Sequence, residues 1–186
     1  MKKRITIKEI QLQLANITEE TDPVFKQYQA DPRAGVQRLL NQCKKRVLKH
    51  QVLVTQFQKR LTLEKSAWEK GLNLVAGIDE VGRGCLAGPV VTAAVILPHD
   101  FNLIEVNDSK QLSKQTRERL YPQIIEKAVS VSIGTASPAT IDQLNILQAT
   151  RQAMKNAVLH LAVRPQQLLV DAVDIPVNIP KQRMFK

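Results

Sequence analysis

Through residue 70, apolar residues recur every three to four positions. Ile7, Ile10 and Leu14 are spaced this way, and Thr6 stands where it can cap them. Asp22-Pro23 and Asp31-Pro32 are breaks. Each Asp is expected to cap a following helix with Pro at its first position. From about Pro32 the series Val36, Leu39, Leu40, Cys43, Val47 and Leu48 keeps a 3.6-residue period, with Lys44, Lys45, Arg46 and Lys49 mostly off the apolar stripe. Val52-Leu53-Val54 is less clearly periodic. Thr62 to Lys70 predicts a last short helix, closed by Gly71.

The pattern then condenses into short apolar runs. Leu74 to Ile78 predicts a buried strand, and Pro89 to Leu97 (PVVTAAVIL) a second, β-branched one. The glycine-rich link between them predicts a tight turn and an antiparallel pair. Ser113 is placed to cap a helix over 114–128, and Val129 to Ala136 predicts a third strand. Ser137 opens a further helix carrying Ile141, Leu144, Ile146, Leu147, Ala153, Val158 and Leu161. Leu168-Leu169-Val170 is a fourth strand that ends at Asp171. Three strands, a helix and another strand predict an α/β layer arrangement over 71–186, preceded by an all-helical region over 1–70.

Charge sharpens this division. Residues 1–70 hold 15 Lys and Arg against 7 Asp and Glu; the remaining residues hold 12 against 10. A basic segment of this kind points to a polyanion, most simply a nucleic acid, or to a lysine-rich solvated helical surface. Aromatics make up 4% of the chain, too few for a single-strand stacking platform. At 44% the apolar fraction suits a packed core. Two cysteines, Cys43 and Cys85, supply neither a disulfide scaffold nor a four-thiolate zinc site. There is no 18-residue apolar run and no secretory leader pattern, so a cytoplasmic protein without membrane contact is expected.

The candidate chemistry lies in Gly77-Ile78-Asp79-Glu80-Val81-Gly82-Arg83-Gly84. Two adjacent carboxylates sit where an apolar strand runs out. In a regular strand Asp79 and Glu80 face opposite sides, so serving one site requires an immediate turn, which Gly82 and Gly84 permit. Asp171 also ends an apolar strand. If the two strands are neighbours, Asp79 and Asp171 converge at one end of the sheet. Clustered carboxylates select a hard cation, Mg²⁺ or Mn²⁺, and suit two-metal phosphodiester cleavage. A solvated turn at Asp79-Glu80 and a turn residue at Asp171 are the alternative readings. The segment lacks the Gly-Lys-Ser/Thr ending of a phosphate loop.

The segment GIDEVGRGCLAGPVVTAAVIL (77–97) resembles the signature of prokaryotic ribonuclease HII. NDSKQLS (107–113), IDQLNI (141–146) and LLVDA (168–172) follow in the family's order. The basic segment before them resembles the N-terminal extension of long-form members, and Cys85 stands where many members have Pro. The resemblance implies a ribonuclease H-like mixed sheet with flanking helices. The activity it implies is cutting of the RNA strand of RNA–DNA hybrids, with incision 5′ of ribonucleotides embedded in DNA. It implies a monomer using Mg²⁺ or Mn²⁺, with Asp79, Glu80 and Asp171 as metal-binding catalytic carboxylates. It further implies that the Gly82-Arg83-Gly84 backbone reads the 2′-hydroxyl, which only a ribose offers. Ser109 and Lys110 would contact the phosphate backbone, and Asn145 the substrate strand; a helix-start loop and a helix-surface amide are the plainer readings.

Family members continue past this point with a Gly-Asp segment that supplies a fourth carboxylate. Asp174, in DAVDIP, does not match it. An incomplete catalytic domain is therefore expected over 71–186, with weak or no cleavage by this chain alone. The alternative function is a non-catalytic nucleic-acid-binding fragment.

Overall fold

The computed structural model describes residues 5–85, 87–171 and 173–184. Leu86 and Ala172, which fall within two of the motifs above, lie outside them. The chain forms two compact units, 1–59 and 60–186. No helix among the described residues is long and apolar enough to cross a membrane.

The first unit is helical. α1 (Ile7–Leu14) opens with a reciprocal cap: Glu9 N–H donates to Thr6 Oγ1 and Thr6 N–H to Glu9 Oε2. This hydrogen bonding holds the Glu9 carboxyl below the usual range. α2 (Pro23–Tyr28) is capped by Asp22 with Pro23 in its first turn, as the sequence predicts. Asp31 likewise accepts from the backbone N–H two residues on, Arg33 N–H at 3.0 Å, and grips the Arg33 guanidinium at 2.7 Å, but α3 (Ala34–Arg60) begins beyond Pro32. α3 runs unbroken through Val52-Leu53-Val54. Ile10, Leu14, Phe25, Tyr28, Val36, Leu40, Cys43 and Val47 form this unit's core. Arg46 Nη2 donates to the carbonyls of Leu14 (2.6 Å), the last residue of α1, and of Ile17 (3.1 Å) just beyond it.

The second unit opens with α4 (Thr62–Trp68). The last helix predicted for residues 1–70 forms here and packs Ala67 with Val75 and Leu169 of the sheet, because its apolar residues bury there. The other elements are β1 (Val75–Val81), β2 (Val90–Ile96), a 3₁₀ turn (Ser109–Gln111), α5 (Lys114–Lys127), β3 (Ser130–Ala136), α6 (Pro138–Leu144), α7 (Ile146–Leu159), β4 (Gln167–Asp171) and β5 (Lys181–Met184). The sheet order is β3-β2-β1-β4-β5. β1/β2 and β2/β3 are antiparallel; β1/β4 and β4/β5 are parallel. α7 covers one face, where Met154, Ala157 and Val158 bury against Ala76, Ile78, Ala94, Ile96, Leu168 and Val170.

Two features escape the sequence pattern. The helix predicted from Ser137 breaks at Asn145, which takes a positive φ of 69° between α6 and α7. β5 is polar (KQRM) and lies at the sheet's edge, so burial leaves no alternation to read in it.

α7 lies tightly against the sheet at Gly134 of β3, where an added Cβ would overlap the Ala153 carbonyl oxygen. Gly134→Ala should therefore lower stability by about 1–3 kcal/mol, read as a fall in urea midpoint. Partial burial of Glu64 on α4 raises its carboxyl above the usual range. The unfolded chain releases that proton at lower pH than the folded one. Stability should thus decline as pH rises from about 4 through the raised value, and Glu64→Gln should flatten that decline in a pH series of thermal melts.

Candidate active site at the carboxyl ends of the central strands

β1 and β4 are the neighbours that the Asp79–Asp171 convergence requires. Their parallel pairing ends at Ile78 opposite Val170, and one step further along each strand stand Asp79 and Asp171. Parallel neighbours run about 4.8 Å apart, so the two carboxylates share one end of the sheet. They also share one face. Ile78 and Val170 point into the α7 core, so alternation turns Asp79 and Asp171 the other way. Asp79 is exposed and Asp171 half-buried.

Glu80 goes elsewhere. β1 remains a regular strand through Val81, with Glu80 opposite Thr92 and Val81 opposite Val91 of β2. The turn comes one residue too late to swing Glu80 round beside Asp79. Glu80 accepts from Arg83 Nη1 at 3.3 Å, and its side chain is 16% exposed. Only its backbone N–H meets Asp79, donating to Oδ1 at 2.9 Å. The structure thus brings together two of the three predicted carboxylates. Among the described residues no group of three His, Cys, Asp or Glu is placed to hold a metal ion. Two carboxylates on one face of one sheet end offer the oxygen ligands that a hard divalent cation takes.

The turn itself starts at Gly82, with φ of 101°. A Cβ there would overlap the Pro89 carbonyl oxygen and lie 3.3 Å from Val90 Cα. The chain leaving β1 is folded tightly against the chain entering β2, and only glycine fits. At Gly84 nothing lies within 4 Å of where a Cβ would stand. Arg83, Gly84 and Cys85 are exposed, leaving the main chain open to a ligand.

The remaining candidates occupy other loops. Ser109 and Lys110 form the 3₁₀ turn, which Asp108 caps by accepting from Lys110 N–H at 3.0 Å. Arg117 Nη1 ties that turn down through the Ser109 carbonyl at 3.1 Å. Asn145 is a hinge between helices rather than a helix-surface amide: its Oδ1 accepts from Gln148 N–H at 3.1 Å. Asp174 faces two cations, Arg151 at 3.4 Å and Lys181 at 3.7 Å. The Glu80–Arg83 contact joins residues three apart in sequence, but it forms only because the chain turns at Gly82.

The family profile described as "Ribonuclease HII" matches residues 76–185, and "Ribonuclease HII N-terminal domain" matches residues 6–68. The chain belongs to the ribonuclease HII family. Ribonuclease HII of Pediococcus pentosaceus is 54% identical over 181 residues, covering 97% of this chain and 71% of that protein. Ribonuclease HII of Levilactobacillus brevis is 53% identical over 186 residues, covering 100% of this chain and 72% of that one. Among solved structures, the ribonuclease H2 from Pyrococcus horikoshii OT3 is similar, with a TM-score of 0.52 and 26% identity. The match covers 60% of this chain and 62% of the archaeal chain. The order of the five strands and the carboxylate pair at their end are thus features of a ribonuclease HII member.

Gly82→Ala combines a disfavoured φ with a backbone overlap. It should lower stability by about 1–3 kcal/mol, measured by urea unfolding, whereas Gly84→Ala should leave the midpoint nearly unchanged.

Proposed function

We propose that this chain carries the site of a metal-dependent endoribonuclease that cuts the RNA strand of RNA–DNA hybrids. Incision 5′ of single ribonucleotides in duplex DNA is the finer form of the same reading. The observation that supports it most is the β1–β4 register, which sets Asp79 beside Asp171 in a chain of this family.

In this reading Asp79 and Asp171 hold divalent cations, Mg²⁺ or Mn²⁺, by their carboxylate oxygens. When bound, the ions supply Lewis acidity at the phosphodiester and offset the charge of the two acids. Glu80 completes the acidic end of β1, and Arg83 holds its carboxylate in place and reduces its repulsion of the substrate's phosphates. The open Gly82-Arg83-Gly84 main chain approaches the sugar closely and tests for a 2′-hydroxyl, a donor and acceptor that deoxyribose lacks. Ser109 and Lys110 bind a backbone phosphate. Asn145 contributes by fixing the α6–α7 angle and by offering its amide to the substrate strand.

Asp79→Asn keeps the side chain's size and removes its charge. It should reduce the Mn²⁺-dependent cleavage of an RNA–DNA hybrid, expected to be weak in this chain, to background, read on a denaturing gel. Binding of the same hybrid in EDTA should change less than about twofold. Undiminished cleavage by Asp79→Asn would sink the assignment.

A further inference from the structure

α3 contains seven basic residues — Arg38, Lys44, Lys45, Arg46, Lys49, Lys59 and Arg60 — and no acidic one across its 27 residues. An ordinary solvated helix interleaves acids three or four residues from its bases, where they pair. The bases of α3 also divide by role. Arg46 ties down the end of α1, and Lys44 lies 3.9 Å from Glu20 and over the Phe25 ring. Arg38, Lys45 and Lys49 are exposed and make no hydrogen bond or ion pair with the described residues.

Those three lie on one face. Positions 38, 45 and 49 fall within about 40° of one another around the helix and span about 16 Å along it. The face lies directly opposite the stripe of Val36, Leu40, Cys43 and Val47 that is buried in the core of the first unit. Exposed amides, Asn41 and Gln42, stand between the charges, and with Gln37, Arg38 and Lys45 they line a shallow depression. Cations interleaved with amide donors suit phosphate oxygens. With no aromatic side chain on the face, base stacking has no platform. A membrane surface fits less well, because the Val36–Val47 stripe of α3 is already buried and, between Arg38 and Lys49, the basic face carries no apolar side chain of its own.

We infer that the Arg38–Lys45–Lys49 face of α3 is a second nucleic-acid contact. It binds the phosphate backbone of a duplex without regard to sequence or sugar. The inference rests on the reading that this chain acts on nucleic acid, but it concerns a surface distinct from the carboxylate pair.

The test uses the whole chain and a plain DNA duplex containing no ribonucleotide, in EDTA, so neither cleavage nor junction recognition enters. Fluorescence anisotropy is followed from 50 to 200 mM salt. Every phosphate that the protein ceases to neutralise flattens the plot of log affinity against log salt by about 0.9. The triple variant Arg38→Ala, Lys45→Ala, Lys49→Ala should flatten it by about 2.7 and bind about tenfold more weakly at 100 mM salt. A control, Lys8→Ala, Lys26→Ala, Lys44→Ala, removes equal charge from other faces of the same unit. It should change the slope by less than about 1. Circular dichroism checks that both variants stay folded. An unchanged slope in the first variant overturns the inference, as does an equal flattening in the control. So does binding to phosphatidylglycerol vesicles with none to the duplex. A failure to cleave hybrids would leave all of these outcomes unaffected.

Discussion

Parallel hydrogen bonding between β1 and β4 is the interaction on which the candidate site depends. These strands are separated in sequence by two further strands and three helices, and their carboxyl ends meet only because the ladder aligns them. A slip of one residue would turn either Asp79 or Asp171 to the opposite face. The register is held by burial. Ala76, Ile78, Leu168 and Val170 all face α7, so a one-residue slip of either strand would put its two apolar side chains on the wrong side. Position of the acids is thus a by-product of packing beneath them.

That packing depends in turn on how closely α7 lies against the sheet. Gly134 lets the backbones of α7 and β3 approach, and small residues on α7 (Ala149, Ala153, Ala157) keep the layer thin. Asn145 starts α7 afresh after α6. A continuous helix from Pro138 would have carried one direction through both segments; the positive φ at Asn145 changes it and the side chain caps the new start. The turn after β1 shows the same economy. Gly82 folds the chain back onto Pro89 and Val90, which begins β2 in register while leaving the main chain of Arg83 and Gly84 open.

The first unit stands on a separate balance. Its core is small and mostly apolar, and the excess of positive charge falls on the outer surface of α3 rather than among paired acids. Like charges along one helix repel, so the surface is intrinsically suited to an anion. Arg46 of α3 donates to the Leu14 carbonyl at the end of α1 and to the Ile17 carbonyl beyond it.

Much of this was legible in the chain. The caps at Thr6, Asp22 and Ser113, the change from helical period to short strands, and the acids at two strand ends are local features, set by residues within a few positions of one another. The ordered motifs from DEVGRG onward carried the family. Other features depended on partners far away in sequence. α4 lies against the sheet because Val75 and Leu169 bury its apolar residues, and β5 forms only because β4 offers an edge. At the site, sequence alone determined that Asp79, Glu80 and Asp171 stand at strand ends. Tertiary structure decided that Asp79 and Asp171 share a face while Glu80 turns to Arg83. The reason is that β1 stays paired to β2 through Val81, and a paired strand must alternate its side chains.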